Sequence, residues 1–220
     1  TTVAASQQRR EQVVERLRHA LARGRQAYWV CPLIEESDVL EAEAAETRAR
    51  ELTELLPNFS VALIHGRMKP AEKQAIMAAF SIGEVDLLVA TTVIEVGVDV
   101  PNASVMVIEN AERLGLSQLH QLRGRVGRGA DQASCVLLYK PPLGQMAQAR
   151  LGVMRETTDG FVIAEKDLEL RGPGEVLGTR QTGMLRFRIA DLARDGELLD
   201  QVEGLVQSLS VEAATVLIDR

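Results

Sequence analysis

Five short apolar runs, each set against stretches of helical periodicity, constrain this chain more than any other feature: Gln26–Leu33, Ser60–Ile64, Val85–Ala90, Ser104–Ile108 and Ser134–Tyr139. They are apolar through their length instead of alternating, as strands must be when both faces of their sheet are covered. Gln8–Ala22 carries Val13, Leu17, Ala20 and Leu21 on one face and arginines on the other, and Gly24 closes it. Leu40–Leu56 carries the stripe Leu52, Leu55 and Leu56 beneath an acidic face. Pro70 opens a further helix, where a missing N–H costs no bond, and Ile76 meets Phe80 at i, i+4. Ser117–Arg123 reads as a short helix. This alternation predicts an α/β fold, an open parallel sheet with helices on both faces.

After Lys140–Gly144 the pattern changes. Met146–Thr158 is helical, Asp159-Gly160 reads as a turn, and Glu165–Leu170 is helical again. Arg171–Gly183 then sets four glycines and a proline among arginines, which suits a surface loop, and Asp191–Leu217 reads as one or two closing helices. The expected organisation is therefore a linker over residues 1–7, a sheet domain over 8–142, and a small helical hairpin and loop appendage over 143–220. The abrupt start suggests a piece of a longer protein.

Hydrophobic residues at 46% are enough for a substantial core, and aromatics at 3% make that core mainly aliphatic. No run approaches the roughly 20 apolar residues of a membrane span, and no signal peptide opens the chain. Cys31 and Cys135 sit inside apolar runs and read as buried free thiols of a cytosolic protein. The net charge of −6 argues against simple nucleic-acid affinity, but Glu35–Glu54 alone sets eight acids against Arg48 and Arg50. Arg9–Arg25 holds six arginines against two acids, so an electropositive face remains available.

Chemistry concentrates in Gln118–Gly129, where Arg123, Arg125 and Arg128 alternate with Gly124, Gly127 and Gly129. Glycine lets backbone approach a ligand closely, and guanidinium matches phosphate oxygens with a fixed fork of donors. The stretch is suited to pressing cations against a polyphosphate. Its glycine order is the reverse of the dinucleotide fingerprint and follows a helix, which disfavours nicotinamide or flavin. Ligands of open α/β sheets sit beyond the carboxyl ends of strands, and His65, Thr91, Thr92 and Asp99 all fall just after strands. No glycine precedes a lysine and no Asp-Glu pair occurs, so the chain has arginines to complete an ATP site but neither phosphate loop nor Mg²⁺ carboxylates. It reads as half of a catalytic centre, and no metal-ligand set is expected within it.

Gln121-x-x-Gly124-Arg125-x-Gly127-Arg128 resembles motif VI of the superfamily-two helicases. Trp29–Ser37, His65–Lys69 and Val89–Pro101 resemble the later motifs of the RecG family of bacterial ATP-dependent DNA helicases. Arg171-Gly172-Pro173-Gly174 and Gly178-Thr179-Arg180-Gln181 are similar to the translocation motif that this family shares with the transcription-repair coupling factor. The resemblance covers roughly residues 6 to 195 and does not reach 196–220.

That resemblance implies a RecA-like second motor domain followed by a translocation hairpin. Arg125 and Arg128 would be arginine fingers on ATP held by a first motor domain, with Gln121 and Gly124 shaping their loop. Asp99 would meet the nucleotide sugar or a motif VI arginine, beside Gly97, while Thr91, Thr92, His65 and Gly66 would track DNA phosphates. Arg150, Arg171 and Gln181 would couple ATP-driven closure to movement on duplex DNA. The implied partners are branched double-stranded DNA (replication forks, Holliday junctions), the N-terminal motor and wedge domains of the same protein, and single-strand-binding protein. The implied place is the bacterial cytoplasm, at the nucleoid, and no membrane is involved. The chain alone should hydrolyse almost no ATP. Two alternatives stand: a coupling-factor translocase, and a non-catalytic DNA- or protein-binding domain on the same fold.

Overall fold

The structure, a computed structural model, describes residues 1–32, 38–91, 100–127 and 133–171, with the backbone alone for 38–41 and 171. Among them six strands form one parallel sheet in the order β1-β6-β5-β2-β4-β3. They are β1 (Thr2–Ser6), β2 (Gln26–Cys31), β3 (Val61–Ile64), β4 (Leu87–Thr91), β5 (Ala103–Ile108) and β6 (Ser134–Tyr139). The helices are α1 (Arg10–Leu21), α2 (Asp38–Leu55), α3 (Pro70–Ser81), α4 (Leu116–Arg123), α5 (Gln145–Glu156) and α6 (Gly160–Arg171). The expected open parallel α/β sheet is present.

Successive strand residues face opposite layers. Tyr28, Val30, Leu88, Ala90, Met106 and Ile108 pack with side chains of α3, α4 and α5, whereas Ala27, Trp29, Leu87, Val89, Val105 and Val107 pack with α1 and α2. Val14, Leu17 and Leu21 hold α1 to its layer at no more than 4% exposure. Each such side chain contributes roughly 1.5–3 kcal/mol, so burial fixes α1 and its exposed arginine pairs add little. Tyr28, Trp29 and Phe80 are fully buried within an otherwise aliphatic core.

Three local expectations change. The linker expected over residues 1–7 is an edge strand: Thr2–Ser6 pairs in register with Cys135–Tyr139. Its small side chains carry no periodic signal, and it forms because the open edge of β6 needs partners for its N–H and C=O groups. In the α2 stripe, Leu52 and Leu56 are buried but Leu55 is 45% exposed, because Leu56 keeps the helical bond to Leu52 O (2.9 Å) and continues the face of Ala45 and Leu52, which Leu55 leaves. Asp159-Gly160 is a helix start. Asp159 Oδ1 accepts from Phe161 N–H at 2.8 Å and the Asp159 carbonyl from Ile163 N–H at 3.1 Å, so α6 begins five residues before the expected Glu165.

By internal contacts the chain divides into two compact units, Thr1–Leu170 and Arg171–Arg220. The first runs past residue 142 because α5 lies against β1, α4 and the 3-10 turn Ala111–Arg113.

Candidate functional site

Helix α4 is where the arginine stretch acquires geometry. Beyond β5 the chain passes Glu109, Asn110 and the turn Ala111–Arg113 before α4 starts. Asn110 takes φ 44°, and its Oδ1 accepts from Gln7 Nε2 at 2.6 Å. Gln118 Oε1 accepts from Gly115 N–H at 3.2 Å, satisfying a donor at the helix start. Leu116, Leu119 and Leu122 face the core, which leaves Gln121 and Gly124 exposed.

The helix runs back along the sheet, so its far end lies at the amino edge of the strands. Gly127 N–H donates to the carbonyl of Ala103, the first residue of β5, at 3.3 Å, and Ala103 N–H donates to Val100 O at 3.0 Å. Gly127 has φ 88°, and a Cβ there would sit 2.4 Å from Ala133 Cβ. Only glycine fits both the conformation and the space. With Val126 buried alongside, this pins the loop and leaves Arg125 half-exposed. Among the described residues the Arg125 guanidinium has no hydrogen-bond or ion-pair partner. Its backbone is anchored while its side-chain donors are unspent among the described residues.

Arg123, two residues earlier, is fully engaged. Its guanidinium donates to the carbonyls of Met154 (3.2 Å), Thr157 (2.8 Å) and Thr158 (3.3 Å), and Nη2 lies 3.0 Å from His120 Nδ1. Burial lowers its pKa from the ordinary arginine value. The alternating Arg/Gly pattern groups Arg123 with Arg125, but helical position separates them: one turn after His120, Arg123 faces the end of α5. Arg150 on α5 reaches the other way, its Nη2 donating to the Glu112 carbonyl at 2.8 Å.

The carboxyl edge holds the remaining described site residues. His65 follows β3, with Nε2 3.7 Å from Glu46 Oε1 of α2, and Gly66 accepts from Lys73 Nζ at 2.9 Å. Thr91 ends β4 at 2% exposure, level with Cys31 of β2. Nearby, the buried Glu109 carboxylate lies 2.7 Å from Arg48 Nε, and Arg48 also pairs with Glu51, which lies 3.7 Å from Arg10. The sequence pattern misses this chain of charges, since no spacing signals a pairing between α1, α2 and the end of β5. Burial, opposed in part by Arg48, pushes the Cys31 thiol pKa up, and burial pushes Cys135 up to about 12. Both stay protonated thiols, as expected of core cysteines, though Cys31 is only partly buried.

The site residues expected from the sequence lie at two edges of the sheet. His65, Gly66 and Thr91 lie at the carboxyl edge, whereas Gln121, Gly124 and Arg125 lie at or lead to the opposite one, because α4 traverses the height of the sheet. Thr92, Gly97, Asp99, Arg128 and Gln181 lie outside the described residues, as does the side chain of Arg171. Among the described residues no group of three or more His, Cys, Asp or Glu could hold a metal, and no helix is long and apolar enough to cross a membrane.

Known proteins match this architecture. The family model of the helicase conserved C-terminal domain matches residues 7–130, and that of the ATP-dependent DNA helicase RecG, domain 3, C-terminal, matches residues 157–215. The second match carries the similarity past residue 195. RecG of Pasteurella multocida strain Pm70 is 63% identical over the whole chain, and RecG of Escherichia coli strain K12 is 62% identical. The chain spans about a third (32%) of the length of each of these relatives. A solved structure of RecG bound to a three-way DNA junction is 46% identical, covers 90% of this chain and 25% of that one, and superposes with a TM-score of 0.69. The chain belongs to the family of the helicase conserved C-terminal domain and corresponds to its RecG members.

Proposed function

We propose that this chain is the C-terminal motor half of an ATP-dependent double-stranded DNA translocase that acts on branched DNA, regressing stalled forks and migrating Holliday junctions in recombination and repair. The observation that carries the reading is the half-exposed Arg125 guanidinium, without a partner among the described residues, on a loop that Gly127 bonds to the start of β5. A half-exposed cation on an anchored backbone, with no counter-charge among the described residues, suits an anion delivered by another domain. ATP supplies the free energy of each cycle. Arg125 and Arg128 would neutralise charge developing on its terminal phosphates, with Gln121 and Gly124 shaping the loop and Gly97 and Asp99 meeting the nucleotide. Mg²⁺ would be held by the preceding motor domain, since no carboxylate cluster among the described residues fits it.

On the DNA side, His65, Gly66, Thr91 and Thr92 would follow the phosphates of one strand. Arg150, Arg171 and Gln181 would carry domain closure to the translocation loop. Branched DNA as substrate is supported by the junction complex of the RecG neighbour. Contacts to phosphate without base reading make binding steeply salt-dependent. Single-strand-binding protein and the bacterial nucleoid complete the proposed setting. The functional division proposed is 8–142, joined by the edge strand Thr2–Ser6, as the RecA-like half and 143–220 as the translocation hairpin, loop and closing helices.

The test is Arg125→Ala in the full-length protein. Loss of an arginine finger should lower DNA-stimulated ATP hydrolysis by about 10³-fold or more while the thermal midpoint stays put. Wild-type turnover in that variant would remove the finger role.

A further inference from the structure

We propose that Arg123 is a positioning residue that couples the arginine loop to the α5–α6 hairpin and does not itself contact nucleotide. The inference rests on the motor reading above. Its partners are the carbonyls of Met154, Thr157 and Thr158, where α5 ends and the chain turns toward α6. The last carbonyls of a helix lack intrahelical partners and carry partial negative charge. A guanidinium spreads five donors over three nitrogens and so reaches several carbonyls, whereas lysine gathers its three donors on one nitrogen.

His120 completes the grip. Its Nδ1 lies 3.0 Å from Arg123 Nη2, while its Nε2 would be 3.1 Å from a Cβ on Gly160, the first residue of α6. Glycine at 160 thus lets the ring sit between α4 and the hairpin. Arg150 closes the other end, donating from α5 to the Glu112 carbonyl ahead of α4 at 2.8 Å. The two helices are tied at both ends by arginines pointing in opposite directions. Arg125 follows Arg123 by two residues, and its N–H is bonded to Leu122 O at 3.0 Å, so the loop, α4 and the sheet edge form one piece. With both ties intact α5 belongs to that piece. Arg123 thereby keeps the hairpin in register with the Arg125 loop, so that a domain movement driven at the nucleotide reaches the hairpin.

The experiment compares DNA-stimulated ATP hydrolysis with unwinding of a forked DNA in the full-length protein. Arg123→Gln should keep hydrolysis within about threefold of wild type. Unwinding per ATP consumed should fall about tenfold, within the range by which coupling residues act. Arg123→Lys, which keeps the charge but has all its donors on one nitrogen, should fall between the two. Gly160→Ala, which crowds His120 and leaves every arginine in place, should show the same split in weaker form. Equal loss of hydrolysis and unwinding in a folded Arg123→Gln protein would make Arg123 a nucleotide contact and overturn the proposal. So would an unchanged ratio in all three variants. Should Arg123→Gln fail to fold, the ratio in Arg123→Lys and Gly160→Ala decides alone. A wild-type protein that hydrolyses ATP yet acts on no DNA junction would instead sink the motor reading itself.

Discussion

The two edges of the sheet differ in what their charges have left to bind. At the carboxyl edge, Arg48 is shared between Glu109 and Glu51, Arg10 lies near Glu51, and His65 lies near Glu46. These groups answer one another, while exposed Arg67, next after His65 and Gly66, has no side-chain partner among the described residues and remains for a phosphate. At the amino edge Arg125 stands partly exposed with no partner among the described residues, on a loop whose backbone bonds are spent on β5. Acidic and basic residues are both plentiful in the sequence. What separates a structural charge from an available one is whether the fold has already paired it, so the contrast between edges points to the reactive side better than charge counting does.

The contrast breaks first at Arg125. If Arg125→Ala leaves hydrolysis near wild type instead of about 10³-fold down, the amino edge is not the reactive one. Next is Gly127→Ala, which forces a side chain into φ 88° and against Ala133. About 2–3 kcal/mol of stability should be lost, as urea unfolding would show, and ATP turnover should fall with the displaced loop. Glu109→Gln sharpens the other side. It leaves the partly buried Arg48 with Glu51 alone, which should cost about 1–3 kcal/mol while ATP turnover changes little. A large drop in turnover at unchanged stability would make the carboxyl edge catalytic.

The smallest effect concerns Cys135, whose thiol is pushed up to about 12 by burial. An unfolded thiol ionises near pH 8.5, so the buried one adds a stability that is complete below that pH and is lost as pH rises from there toward 12. Cys135→Ala should flatten that alkaline decline. Native Cys135 should also resist alkylation at pH 8, which mass spectrometry of the labelled protein would read.

Legibility followed the physics of each signal. Strands β2 to β6 were readable because burial on both faces writes a continuous apolar run, and α4 because Leu116, Leu119 and Leu122 repeat at helical spacing. β1 was not, since its partner strand lies more than a hundred residues away and Thr-Val-Ala-Ala-Ser has no period of its own. The glycines around Arg125 single it out as a candidate phosphate contact, and the structure leaves it half-exposed. The same local pattern surrounds Arg123, and no spacing in the sequence signals its bonds to the carbonyls at the end of α5. The rule that ligands lie past the carboxyl ends placed His65 and Thr91 correctly on the sheet, but it cannot follow a helix that carries its last turn back to the other side.

The pairing of Thr2–Ser6 with β6 has a practical corollary. Expression of this region from residue 8 onward would strip a parallel neighbour from Cys135–Tyr139 and leave five rungs of that strand bare. Trimmed protein is expected to self-associate through the bared border, whereas a start upstream of Thr2 keeps it sealed.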